Sequence, residues 1–142
     1  MTATVRPKAL RSGMCVGLLA PASPPQQPDT IERAAARVQA LGFVTRIGSA
    51  ARDVHGYLAG DDGARARDLN TFFKDPDIDA IWCLRGGYGA LRLLPGLDFD
   101  VIRAHPKVLI GYSDITALHI AIGQSTGLVT FHGPMPSRDF SA

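Results

Sequence analysis

Hydrophobic positions along this chain fall into short continuous runs, separated by stretches in which apolar residues recur at helical spacing. Residues 15–20 form an apolar run closed by Pro21, the pattern of a strand buried on both faces. Ile31, Ala34, Ala35, Val38 and Leu41 then repeat with helical period. Asp29 and Glu32 read as a capping-box start, and Gly42 as the stop. Residues 43–47 read as a second strand. Ala66, Leu69, Phe72 and Phe73 mark the inward face of a second helix, capped by Asp61 or Asp62 and ended by Asp75-Pro76. Residues 80–84 form the third strand, and Gly86-Gly87-Tyr88-Gly89 makes a tight turn into a short helix ending near Pro95. Residues 108–111 are the fourth strand. A helix over 114–126 follows, with Ile115, Leu118 and Ile122 inward and Gly127 as its stop, and residues 128–131 read as the fifth strand.

This alternation predicts an α/β domain: a doubly wound, mainly parallel sheet of about five strands flanked by helices, of the flavodoxin/Rossmann-like kind. Ligands of such sheets bind outside the carboxyl ends of the strands. Three loops converge there, over residues 21–25, 85–89 and 112–114, with a longer polar loop over 49–60 beside them. Residues 1–135 read as one domain. Residues 136–142 carry neither strand nor helix signal and read as the start of a linker.

Composition narrows the function classes. A chain of 142 residues with 46% hydrophobic and 20% charged positions is ordinary for one globular domain. A net charge of +2 with dispersed basic residues gives no footprint for nucleic acid or membrane. Arg6, Lys8 and Arg11 precede an apolar run too short for a signal core or a span, so the expected location is the cytoplasm. Cys15 and Cys83 lack C-x-x-C spacing and read as reduced thiols in strands.

The densest chemistry lies in Gly111-Tyr112-Ser113-Asp114-Ile115. A serine directly between a strand and a helix stands on a sharp turn, beside free helix N–H groups. Ser113 is therefore a candidate nucleophile, although a serine after a strand is far more often a plain N-cap. Ile115 replaces the second glycine of the G-x-S-x-G elbow. The turn at Gly86 and Gly87 can aim backbone N–H groups into the cleft and, with the N–H of Asp114, form an oxyanion hole; positive φ at a bend explains the same glycines. Dinucleotide binding is disfavoured. Three prolines stand after the first strand, and Arg92 occupies the third-glycine position of the G-x-G pattern. A base is not evident. His119 lies along the helix, on a different face from the turn. His132 follows the fifth strand and either reaches the edge or is structural, while His55 and His105 sit in loops. The Asp114 side chain reads as a cap. Arg85 either attracts a substrate carboxylate or braces its loop in an ion pair.

Five motifs in order carry a specific resemblance: Ala20-Pro21-Ala22-Ser23, Tyr57-Leu58-Ala59-Gly60, Trp82-Cys83-Leu84-Arg85-Gly86-Gly87-Tyr88-Gly89, Gly111-Tyr112-Ser113-Asp114-Ile115-Thr116 and His132-Gly133-Pro134-Met135. Together they resemble the LD-carboxypeptidase family, serine peptidases of murein recycling that include the microcin-immunity hydrolases. The resemblance implies Ser113 as nucleophile, with Gly86, Gly87 and Asp114 as backbone oxyanion donors. Arg85 and Tyr88 are the expected substrate-binding residues. It implies hydrolysis of the L,D-amide before the terminal D-alanine of a murein tetrapeptide, with no metal and no cofactor. It also implies a two-domain enzyme, homodimeric at full length, whose triad glutamate and histidine come from a C-terminal domain without counterpart here. The 142 residues are then expected to be a fragment inactive alone. The alternatives are an immunity-type hydrolase of peptidyl or aminoacyl nucleotides, and a non-catalytic binding domain.

Overall fold

The computed structural model describes residues 2–138. Strands β1 (Cys15–Leu19), β2 (Val44–Ile47), β3 (Ala80–Cys83), β4 (Val108–Gly111) and β5 (Phe131–His132) form one sheet in the order β2-β1-β3-β4-β5. Every pairing is parallel. The order reverses between β1 and β3, where doubly wound sheets open a crevice at their carboxyl edge.

Side-chain alternation along the strands builds the two faces. Val16, Leu18, Ala80, Trp82 and Val108 pack with Ile31, Ala34 and Val38 of α1 (Thr30–Ala40). Leu19, Ile81, Cys83 and Leu109 point the other way. They join Leu69, Phe72 and Phe73 of α2 (Asp62–Lys74), Ile102 of α3 (Phe99–Ala104), and Leu118 and Ile122 of α4 (Thr116–Thr126). Leu18, Leu19, Ile81 and Leu109 are wholly buried, each contributing about 1.5–3 kcal/mol relative to exposure.

Local chemistry explains where the elements depart from expectation. Asp61 caps α2, its carboxylate accepting from Ala64 N–H at 2.7 Å. The capping box at α1 does not form. Asp29 turns to Arg33 at 2.8 Å and Glu32 to Arg52 at 2.7 Å, because the guanidinium partners outcompete the backbone N–H groups. The fifth strand lies later than residues 128–131. Val5 N–H donates to Gly127 and Val129 N–H donates to Val5, both at 2.8 Å, so the N-terminal arm occupies that backbone and β5 begins at Phe131. Helix α3 was not foreseen from the apolar pattern; Asp98 starts it by accepting from Val101 N–H at 3.0 Å. Residues 136–138 form a turn, held where Arg37 donates to the Pro136 carbonyl and the Ser137 hydroxyl to the Leu84 carbonyl. The remainder of the expected linker, 139–142, lies outside the described residues.

Candidate active site

β4 ends at Gly111, and the chain must turn at once to start a 3₁₀ turn over Ser113–Ile115 that leads into α4. Ser113 absorbs that change of direction with φ of 61°, the only non-glycine residue at positive φ among the described residues. A side chain in the left-handed region costs about 1–2 kcal/mol, and such strain gathers where a side chain must be presented. Ser113 is exposed on a cleft of about 610 Å³. Asp114 N–H opens the 3₁₀ turn, where first-turn amides lack acceptors within their own helix.

The glycine turn after β3 faces this serine. A Cβ built on Gly86 would stand 3.2 Å from Ser113 Cβ, 3.4 Å from its Oγ and 3.2 Å from Asp114 N. Gly86 is thus the close approach that leaves the hydroxyl room. Gly87 has φ of 95°, and a Cβ there would fall 2.3 Å from Ser23 Oγ. Ser23 grips the turn twice: its N–H donates to the Gly86 carbonyl at 3.0 Å, and its Oγ accepts from Tyr88 N–H at 3.1 Å. In a trans peptide the carbonyl of one residue and the N–H of the next point oppositely. With the Gly86 carbonyl turned to Ser23, the Gly87 N–H is directed away from that loop. Gly86, Gly87 and Ser113 all line the cleft.

Arg65 ties the surrounding loops together. Its side chain is fully buried on α2 and donates to the carbonyls of Gly60 at 3.2 Å, Pro21 at 2.8 Å and Gly89 at 3.0 Å, and to Asp62. The loops after β1 and β3 and the loop preceding α2 thereby meet on one cation. Sequence reading missed this residue, although Arg65 stands four positions before Leu69 on the inward face of α2, where a charge is out of place. It also passed over Ser23 as a clamp, a role that depends on a contact 65 residues away.

The remaining candidates separate clearly. The Asp114 carboxylate is a cap, accepting from Ala90 N–H at 2.8 Å, so it anchors the 3₁₀ turn that follows the glycine turn (Ala90–Gly96) rather than its own helix. Arg85 lines the cleft and donates to the Pro24 carbonyl at 2.6 Å; the brace is a carbonyl contact, not an ion pair. Tyr88 is exposed beside the turn and does not line the cleft. His119 is half-buried and packed against the elbow. Its Nε2 lies 2.8 Å from the Gly111 carbonyl, which can only accept, so Nε2 carries the proton and Nδ1 accepts from the Thr130 hydroxyl at 2.8 Å. Burial holds its pKa below the ordinary histidine value, against the Gly111 hydrogen bond and reinforced by nearby His132. His132 is exposed on β5, with its ring 6.1 Å from those of Tyr112 and His119, and does not line the cleft. Burial likewise raises the pKa of the Cys83 thiol well above its ordinary value, which keeps it out of thiolate chemistry. Among the described residues no group of three or more His, Cys, Asp or Glu is placed to hold a metal ion.

Fold and site together define a parallel α/β domain with a nucleophile-elbow geometry at its carboxyl edge. The chain belongs to the LD-carboxypeptidase N-terminal domain family, whose pattern matches residues 16–133. A Bacillus subtilis protein named "Probable murein peptide carboxypeptidase" is 51% identical over 134 residues, covering 94% of this chain and 42% of that protein. The murein tetrapeptide carboxypeptidase of Pseudomonas aeruginosa is 42% identical over 121 residues, covering 84% and 39%. The crystal structure of an MccF-like protein from Bacillus anthracis superposes with a TM-score of 0.90 at 35% identity, over 94% of this chain and 41% of the other. The chain thus spans about two fifths of the length of these relatives. Among the described residues, no helix is long and apolar enough to cross a membrane.

Proposed function

We propose that these residues form the nucleophile half of a serine carboxypeptidase that cleaves the L,D-amide before the terminal D-alanine of murein tetrapeptides, in the cytoplasm. The observation that carries this reading is Ser113 at φ of 61°, exposed on the cleft with Gly86 pressed against it. In the first step Ser113 Oγ attacks the scissile carbonyl carbon and gives its proton to a base. The oxyanion is held by Gly87 N–H and Asp114 N–H, with Gly86 beside them, and each such donor is worth about 2.7–4 kcal/mol. The C–N bond then breaks as the base returns the proton to the D-alanine amine, and water releases the acyl group from Ser113.

The base comes from residues outside these 142, as the family resemblance implies. Support comes from His119, whose two ring nitrogens are both engaged, and from His132, which stands off the cleft. Arg85 takes the substrate's terminal carboxylate with guanidinium N–H groups other than the one on Pro24, while Tyr88, which does not line the cleft, is left without a part in binding. The immunity-type alternative, hydrolysis of an aminoacyl or peptidyl nucleotide, uses the same nucleophile and differs in what fills the cleft.

The test joins the 142 residues to the C-terminal portion of the Bacillus subtilis relative. D-Alanine release from the tetrapeptide is expected, falling about 10⁴-fold or more in Ser113→Ala. Turnover that survives that substitution contradicts the assignment. Arg85→Ala is expected to raise KM for peptides with a free C-terminus, and an unchanged KM removes Arg85 from substrate binding.

A further inference from the structure

The cleft at Ser113 is lined by three arginines, Arg33, Arg85 and Arg138, and by no carboxylate among the described residues. Its polar wall is completed by Gln26, Gln27, Thr30 and Ser137, which donate or accept but carry no charge. The one acid adjoining the elbow, Asp114, is committed to Ala90 N–H and does not face in. A concave site of one charge sign selects ligands of the other and raises their local concentration. A volume of about 610 Å³ is of the size that holds a ligand of a few residues.

The three cations reach the cleft from three different elements. Arg85 belongs to the glycine turn and is braced on Pro24 at 2.6 Å, so it stands beside the reacting centre. Arg33 projects from the first turns of α1, and Arg138 from the turn that follows β5 and packs back on Leu84 through Ser137. Arg33 shares one nitrogen with Asp29, an exposed pair that leaves the rest of its planar fork available. Among the described residues Arg138 makes no ion pair.

We infer that Arg33 and Arg138 bind anionic groups of the ligand in addition to Arg85, so that the cleft takes a ligand with more than one anionic group, one of them toward α1. This rests on the reading of the cleft as the substrate site and adds the charge pattern of the substrate. A peptide with a side-chain or backbone carboxylate beyond the scissile residue meets it; so does the phosphate of a nucleotide ester. The shared chemistry is an oxyanion held by guanidinium N–H groups.

The experiment uses the 142-residue chain and inert probes, so it is independent of catalysis. N-acetyl-Ala-Glu-Glu, its uncharged isostere N-acetyl-Ala-Gln-Gln-amide, and adenosine monophosphate are titrated while amide NMR shifts are followed. The acidic peptide is expected to move the Gly86, Gly87 and Ser113 amides and the isostere is not, with affinity falling as salt rises. Arg33→Gln and Arg138→Gln each weaken binding about three- to tenfold, and together more than tenfold. Arg67→Gln, which removes one charge from α2 outside the cleft, leaves binding unchanged, and all variants keep the parent melting temperature. Binding of adenosine monophosphate with the same arginine dependence supports the subsite and assigns it to phosphate. Equal binding of the isostere, binding indifferent to Arg33 and Arg138, or no binding of either anionic probe overturns the proposal. The titration reads binding alone and no turnover, which keeps a failed nucleophile distinct from a failed anion subsite.

Discussion

Ser113 holds φ at 61°, where its Cβ crowds the following carbonyl oxygen. Glycine adopts it without that clash. Ser113→Gly is therefore expected to be more stable than Ser113→Ala by about 1 kcal/mol in urea unfolding; equal midpoints would mean the elbow is relaxed. Ser23 makes a parallel case. Ser23→Ala leaves the part-buried Tyr88 amide without its acceptor, at a cost of about 0.5–1.5 kcal/mol. Hydrogen exchange at Gly87 and Tyr88 should quicken while exchange in β1 and β3 stays slow. Unchanged exchange at the turn would show that Ser23 does not hold it. Gly87→Ala meets both a positive φ and Ser23 Oγ, so it should damage the turn more than Gly86→Ala, whose added methyl meets Ser113 and the Asp114 amide at 3.2–3.4 Å.

At the scale of elements, α4 is bound to the elbow through His119, whose half-buried ring favours the neutral form. Its folded pKa lies below the ordinary 6.5, so between those two values the unfolded chain binds more protons than the folded one. Stability is then complete above about pH 6.5 and declines as pH falls below it. His119→Gln should flatten that decline in melting temperature between pH 7 and pH 5, and a parent curve already flat there would contradict the half-buried neutral ring. Removing Arg65 is a harsher test of α2. Arg65→Met strands three loop carbonyls and should cost about 3–5 kcal/mol. The first four strands and three of the helices could be read from the sequence because their apolar periods are unambiguous and are closed by Gly42, Asp75-Pro76 and Gly127. β5 could not be placed, because residues 128–129 satisfy the same apolar pattern but spend their backbone on Val5. Ser113 and the glycine turn were legible as motifs. Arg65 and the Ser23 grip were not, since they join residues 24 to 65 positions apart and leave no local pattern.

For the whole molecule, the sheet order places the loops after β1, β3 and β4 side by side, and the site is the product of that adjacency. The proposed chemistry at Ser113 also requires a base, and neither His119 nor His132 is placed to serve it. The most direct measurement is peptide-level mass spectrometry after treatment with a fluorophosphonate, on the chain alone and on the chain joined to the C-terminal portion of its Bacillus subtilis relative. One phosphonyl group is expected on Ser113, slow in the chain alone, fast in the joined protein and absent in Ser113→Ala. Modification of another residue, or labelling unaffected by loss of the Ser113 hydroxyl, would contradict the assignment of this serine as the nucleophile.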